Sequence, residues 1–163
     1  MPYGARTLAS DMIKWGEVEL PGFDRPLRAV GPQRRNILAA YLDELLRNIP
    51  ARPSARPAAA APRAGDPPPT RFADACAACR GHCCRKGGND AYLDETAIRR
   101  AWARHPRLGR RALKQRYLEA IPERAFEDSC IYHAKDGCSL PRTLRAGVCE
   151  AYLCGPLERL AKQ

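Results

Sequence analysis

Long apolar runs are missing from this chain. No stretch of its 163 residues approaches the roughly 20 consecutive apolar side chains that a membrane-spanning helix needs, and no membrane partner is expected. No secretory leader is expected either: its apolar region of roughly 7–15 residues has no counterpart between Met1 and Leu20, a segment broken by Arg6, Asp11, Lys14, Glu17 and Glu19. A cytoplasmic location is therefore expected, where thiols are kept reduced. Enzymatic signatures are equally scarce. There is no glycine-rich phosphate loop and no strand-turn-helix nucleotide pattern, and His105, before a helix-ending proline, has no visible nucleophile partner. The chain is not expected to be an enzyme by itself. Neither cysteine nor histidine occurs among residues 1–70, so whatever those residue types do is done by the second half.

Eight cysteines stand in that half, in two blocks. The first is Cys76-x2-Cys79-x3-Cys83-Cys84; the second comprises Cys130, Cys138, Cys149 and Cys154. In a reducing compartment such a density favours metal over disulfides. Cys76 and Cys79, two intervening residues apart, can turn both sulfurs toward one ion, as in zinc knuckles and iron–sulfur loops. Adjacent Cys83 and Cys84 differ, because neighbouring side chains diverge by about 100° on a helix and about 180° on a strand. One of that pair is expected to serve a second metal, to bridge two metals or to stay uncoordinated. Eight thiols allow two four-sulfur sites, one four-sulfur cluster with spare cysteines, or one multinuclear site, and spacing does not choose among them. His82 and His133, inside the blocks, are alternative ligands. Arg80, Arg85, Lys86, Arg142 and Arg145 are placed to offset thiolate charge.

The rest of the chain divides by composition. Residues 1–49 form an N-terminal arm and an amphipathic helix; residues 50–70 are a Pro/Ala-rich linker with seven prolines and no large apolar side chain; residues 71–163 are the cysteine-bearing domain. The helix begins after Gly31-Pro32 and ends at Pro50. Its apolar stripe consists of Ile37, Tyr41, Leu45 and Ile49 with Leu38, Leu42 and Leu46 beside them, and it must lie on the cysteine domain, on a copy of itself or on a protein partner. Upstream, Trp15, Leu20 and Phe23 read as anchors of an irregular arm. Between the cysteine blocks two helices are expected. One is capped at Asp94, stapled by Leu93 and Ile98 and stopped by Pro106; the other runs from about Leu108 to Ile121. No alternating strand is visible. The expected fold is a small α-rich, metal-stapled domain in which two cysteine-bearing irregular segments bracket a helical hairpin.

The ordered blocks, with Gly137-Cys138, Pro141-Arg142 and Arg145, resemble the CxxCxxxCC cysteine-cluster family, bacterial zinc- or iron-chelating domains of the YkgJ type. The resemblance covers roughly Cys76 to Leu157 and nothing in residues 1–70. It implies metal binding through the cysteines, with zinc or iron as cofactor, a 4Fe–4S cluster included.

Two alternatives compete with simple chelation. The metal could staple a nucleic-acid or protein-interaction module, or the chain could be accessory to a redox or methyl-transfer enzyme. A formal net charge of +10 points to an acidic partner, and Arg99, Arg100, Arg104, Arg107, Arg110, Arg111, Lys114 and Arg116 form a run without an acidic residue. Only Trp102 and Tyr117 are interleaved there for base stacking, and both belong to apolar stripes. A solvated helix surface is the preferred reading. Lacking cysteine and histidine, residues 1–70 are expected to be dispensable for metal retention.

Overall fold

In a computed structural model the described residues are 12–50 and 73–162, without the side chains of Ala73, Cys76 and Ala77. The start of the expected arm and residues 51–70 of the expected linker lie outside them. The amphipathic helix α1 spans Pro32–Asn48, with the proline in its first turn where no backbone donor is lost. Leu38, Leu42, Leu45 and Leu46 are buried along it and Ile49 follows at its end. Ile37, at the far edge of the stripe, is 47% exposed, because seven apolar positions cover a wider arc than the neighbours do.

That stripe is covered by the chain itself. Helix α2 (Ala73–Ala78) precedes the first cysteine turn; α3 (Glu95–Arg104) and α4 (Arg110–Glu119) follow. Helix α1 packs on both α3 and α4, and its leucines share one core with Leu93, Ile98, Trp102, Leu113, Tyr117 and Ile131. The start of α3 is as the residues dictate: the Asp94 carboxylate accepts from the Ala97 N–H at 2.7 Å, and Leu93 and Ile98 are buried together. Trp102 Nε1 donates to the Leu108 carbonyl at 2.7 Å, and the Tyr41 hydroxyl to the Leu93 carbonyl at 2.6 Å. Helices α5 (Gly147–Ala151) and α6 (Gly155–Ala161) close the chain.

The expectation that no strand forms is overturned by three two-stranded antiparallel pairs, so the architecture mixes helices with small strand pairs. Strands β1 (Met12–Trp15) and β2 (Val18–Pro21) form a hairpin joined by Gly16 and Glu17. Its signal was present in MIKWGEVEL, two short runs flanking a glycine-bearing two-residue turn. Strand β3 (Leu27–Ala29) pairs with β4 (Arg124–Phe126), matching Leu27 with Phe126. Flanking bonds from the Val30 N–H to the Glu123 carbonyl (2.8 Å) and from the Glu127 N–H to the Pro26 carbonyl (2.9 Å) extend that pairing. Strands β5 (His133–Ala134) and β6 (Gly137–Cys138) make a third hairpin. Strands β3 to β6, of two or three residues, are too short to carry a period-2 pattern, and β3–β4 is a pairing between residues about a hundred positions apart that no local signal encodes. The upstream segment is accordingly not a loose arm. It contributes the strands β1, β2 and β3, leads into α1, and buries the side chain of Leu20 with Ala75, Cys79 and Leu157.

Candidate metal centre

The first cysteine block is shaped by a left-handed turn. After α2, Arg80 (φ 52°) and Gly81 (φ 71°) reverse the chain, and a 3₁₀ turn, His82–Lys86, follows. Gly81 is required twice there. Its φ favours glycine, and a Cβ would sit 2.7 Å from His133 Nε2. That space lets the buried His133 ring donate from Nε2 to the Arg80 carbonyl at 2.7 Å, while Nδ1 accepts from the Ser129 hydroxyl at 2.7 Å. Burial lowers the His133 pKa against the favourable carbonyl, and a ring bonded at both nitrogens in this way is the neutral tautomer. His133 thus has no lone pair left for an ion, which removes it from the alternative ligands. His82 donates from Nδ1 to the Gly22 carbonyl at 2.7 Å.

Cys83 and Cys84 behave differently from the divergence expected of neighbours: the two thiols share a hydrogen bond. The tighter 3₁₀ turn, and not an α-helix or a strand, makes this approach. The bond lowers the Cys83 pKa to about 7 and raises that of Cys84.

The second block is stitched directly onto the first. The Cys130 N–H donates to the Cys84 carbonyl at 3.1 Å and the Ile131 N–H to the Gly88 carbonyl at 2.8 Å. Gly87 allows the contact, since a Cβ there would lie 2.8 Å from Cys130 Cβ and 3.2 Å from its sulfur. Cys138 stands opposite His133 in the β5–β6 hairpin. Cys149 lies on α5, and Cys154 caps α6 against the cluster of Leu20, Cys79 and Leu157.

Electrostatic reach defines two overlapping groups. Cys84 senses Cys130 and Cys138, Cys130 senses Cys138 and Cys149, and Cys149 senses Cys138 and Cys83. Cys79 senses Cys83 and Cys154. Burial pushes the Cys130 thiol up to about 12, with Cys138 and Cys149 adding to it; the Cys149 thiol, on a residue exposed overall, is raised in the same direction by partial desolvation and by Cys138 and Cys83. Burial also raises Cys79, opposed by the His82 and Gly81 N–H groups. These thiols are protonated without a cation to stabilise the charge. Cys83, Cys84, Cys130, Cys138, Cys149 and Cys154 are in no disulfide.

Two arginines reach the group, and only one was anticipated. Arg145 donates from Nε to the Leu140 carbonyl (2.7 Å) and from Nη2 to the Cys138 carbonyl (3.1 Å), and its charge is felt at Cys149. Arg34, on α1, donates from Nε to Asn89 Oδ1 and from Nη2 to the Ser129 carbonyl, both at 2.7 Å, and its charge is felt at Cys130. Nothing near Arg34 in sequence marks it, since it lies 96 residues from Cys130 by the difference of their numbers. The side chains of Arg80, Arg85, Lys86 and Arg142 are exposed. On the far side Arg104 binds Glu150 with both terminal nitrogens, at 3.1 and 3.3 Å, and Arg100 Nη1 stands 3.7 Å from the same carboxylate. This clamp fixes α5, and Cys149 with it, to α3.

As placed, no three His, Cys, Asp or Glu side chains among the described residues form a ready ligand cage. The basic run is partly consumed inside the molecule: Arg99 pairs with Glu95, Lys114 with Asp43, Arg100 and Arg104 with Glu150, and Arg110 donates to the Ile49 carbonyl. Among the described residues no helix is long and apolar enough to cross a membrane. The chain matches no protein-family model, no curated protein and no solved structure.

Proposed function

We propose that this chain is a metal-thiolate protein whose two cysteine blocks close on zinc or on an iron–sulfur centre. The observation that carries the reading is the direct joining of the two blocks, where the Cys130 N–H donates to the Cys84 carbonyl at 3.1 Å and leaves Cys84 within electrostatic reach of Cys130 and Cys138, and Cys149 within reach of Cys83 and Cys138. Cys84, Cys130, Cys138 and Cys149 would hold one centre. Cys76, Cys79, Cys83 and Cys154 would supply a second, since Cys79 lies in reach of Cys83 and Cys154 and Cys76 is two intervening residues from Cys79.

The donor set fits this chemistry. Soft thiolates select zinc, copper(I) and iron–sulfur clusters over hard cations, and clustered thiols that burial keeps protonated gain most from a cation that lets them ionise. A bound ion would supply charge neutralisation and folding energy. The residues of the chain do the rest: Arg34 and Arg145 offset remaining negative charge, the Arg104–Glu150 clamp holds α5, and the Gly87 contact brings Cys130 to Cys84. Because ligation releases thiol protons, affinity should rise with pH.

Metal analysis and an absorption spectrum of anaerobically purified protein test the reading. Stoichiometric zinc without colour, or iron with visible sulfur-to-iron absorption, is the expected result. A folded chain that carries no metal and takes up neither zinc nor cobalt(II) under reducing conditions rejects it.

A further inference from the structure

The turn between Gly87 and Leu93 is strained. Ala91 and Tyr92 are consecutive non-glycine residues in the left-handed region, at φ 54° and 57°, a conformation that persists only where surrounding contacts over-determine it. Those contacts are present. The Ala91 N–H donates to the Gly87 carbonyl at 2.6 Å, the Leu93 N–H to the Asp90 carbonyl at 2.8 Å, and the Tyr41 hydroxyl holds the Leu93 carbonyl from α1. Ala91 and Leu93 are both buried.

The outcome of that strain is the direction of one side chain. The Tyr92 ring lies over Gly87, where an added Cβ would be 3.0 Å from Tyr92 Cε2 and 2.8 Å from Cys130 Cβ. Its hydroxyl donates to the Cys83 carbonyl at 3.1 Å. The phenol therefore runs from Cys130, at the buried end of the thiol group, to Cys83 at the exposed end, and it is within electrostatic reach of Cys84 and Cys149 as well.

We propose that Tyr92 is a positioning residue that roofs the buried thiol of Cys130, while Cys83 and Cys149 stay exposed beside it, and so sets how fast reagents reach Cys130 and how fast an ion bound there exchanges. The exchange-rate part rests on the metal reading above; the roof does not. Gly87 completes the device, since its φ of −73° suits any residue and only the close approach of Tyr92 and Cys130 demands glycine.

The test uses the full chain as wild type, Tyr92→Phe, Tyr92→Gly and Gly87→Ala. In the first arm, metal-free protein reacts with dithionitrobenzoate; in the second, cobalt(II)-loaded protein releases its ion to excess EDTA, followed at the thiolate-to-cobalt absorption band. The exposed Cys83 and Cys149 react early in every variant; in Tyr92→Gly, whose backbone accepts the left-handed turn more readily than tyrosine, the slow phase of Cys130 and the release of the ion should both be roughly 10-fold faster or more, the scale on which groups behind a ligand shell act. Gly87→Ala should shift both rates in the same direction, and Tyr92→Phe, which keeps the ring, should stay close to wild type. Sub-denaturing urea separates a roof from a fold-stabilising side chain, because exposure through global unfolding accelerates with urea and removal of a roof does not. A wild-type rate for the slow Cys130 phase in Tyr92→Gly, or a rate that climbs steeply with urea, overturns the roof whether or not metal binds. Failure of the wild type to take up cobalt(II) overturns the exchange-rate claim together with the metal reading, and the first arm still decides the roof.

Discussion

Removing residues 1–70 should unfold the protein, although that segment contains no cysteine and no histidine. Helix α1 buries Leu38, Leu42, Leu45 and Leu46, with Ile49 beyond its end, against α3 and α4. At about 1.5–3 kcal/mol for each fully buried aliphatic side chain, the five contribute about 8–15 kcal/mol relative to exposure. A domain of this size has a total stability of about 5–15 kcal/mol, so the loss is as large as everything the fold has to spare. Strand β4 would also lose its partner β3, and the Ser129 carbonyl and Asn89 would lose Arg34. The assay is urea unfolding followed by circular dichroism, on the full chain and on a fragment from Arg71 to Gln163, each with and without chelator. The metal-free fragment should show no cooperative transition, and adding a peptide of residues 12–50 should restore part of one. A metal-free fragment that unfolds cooperatively at the full chain's midpoint would refute the assignment of α1 to the core. It would also agree with the sequence-based expectation that residues 1–70 are dispensable for metal retention, which metal analysis of the same fragment measures directly.

Arg34→Ala should weaken both the fold and the metal centre: two partly buried charge-assisted bonds are lost, at about 1.5–3 kcal/mol each, and the loss is measured as a lowered urea midpoint with faster metal release. Arg34→Lys should recover only part of it, since a lysine cannot span Asn89 and Ser129 with one planar group. In the metal-free chain the folded-state pKa of Cys130, raised to about 12, exceeds its ordinary value of 9.0. Its contribution is therefore fully present below about pH 9 and lost as pH rises toward 12, on the order of 4 kcal/mol at completion. Cys130→Ala, compared with wild type by unfolding at each pH, should flatten that decline, and an unchanged decline would show that Cys130 is not buried as a thiol. Arg107→Gln, Arg110→Gln and Arg111→Gln together should leave nucleic-acid retention unchanged in a low-salt binding assay, and a tight, salt-sensitive complex weakened by them would establish a phosphate-binding face.

The local signals held wherever one element decides its own conformation. Pro32, Pro50 and the leucine stripe marked α1; Asp94, Leu93 and Ile98 marked the start of α3, which ends at Arg104 before Pro106; and Leu113 and Tyr117 marked the inner face of α4, shorter at both ends than the span from Leu108 to Ile121. The cysteines were legible as two blocks from their spacing alone, and the bond from the Cys130 N–H to the Cys84 carbonyl that joins those blocks was not. Illegible were the features that need two distant segments at once. The β3–β4 pairing, the Arg34 bridge and the bonds from His133 to Ser129 and Arg80 join residues whose proximity exists only after the chain has closed.

What the sequence by itself determined is therefore a donor inventory and three helices: eight thiols in two blocks, and apolar stripes with caps and stops at the right period. Tertiary structure decided which partners those parts have. It put Cys84 beside Cys130 through a single backbone bond and Gly87, brought the thiols of Cys83 and Cys84 together on a 3₁₀ turn, occupied both nitrogens of His133, and made α1 one wall of the core. The physical reason is range. Helix period, capping and turn chemistry act over a few residues and are written locally, whereas burial, charge compensation and hydrogen bonding between loops depend on which surfaces meet when the apolar stripes are covered.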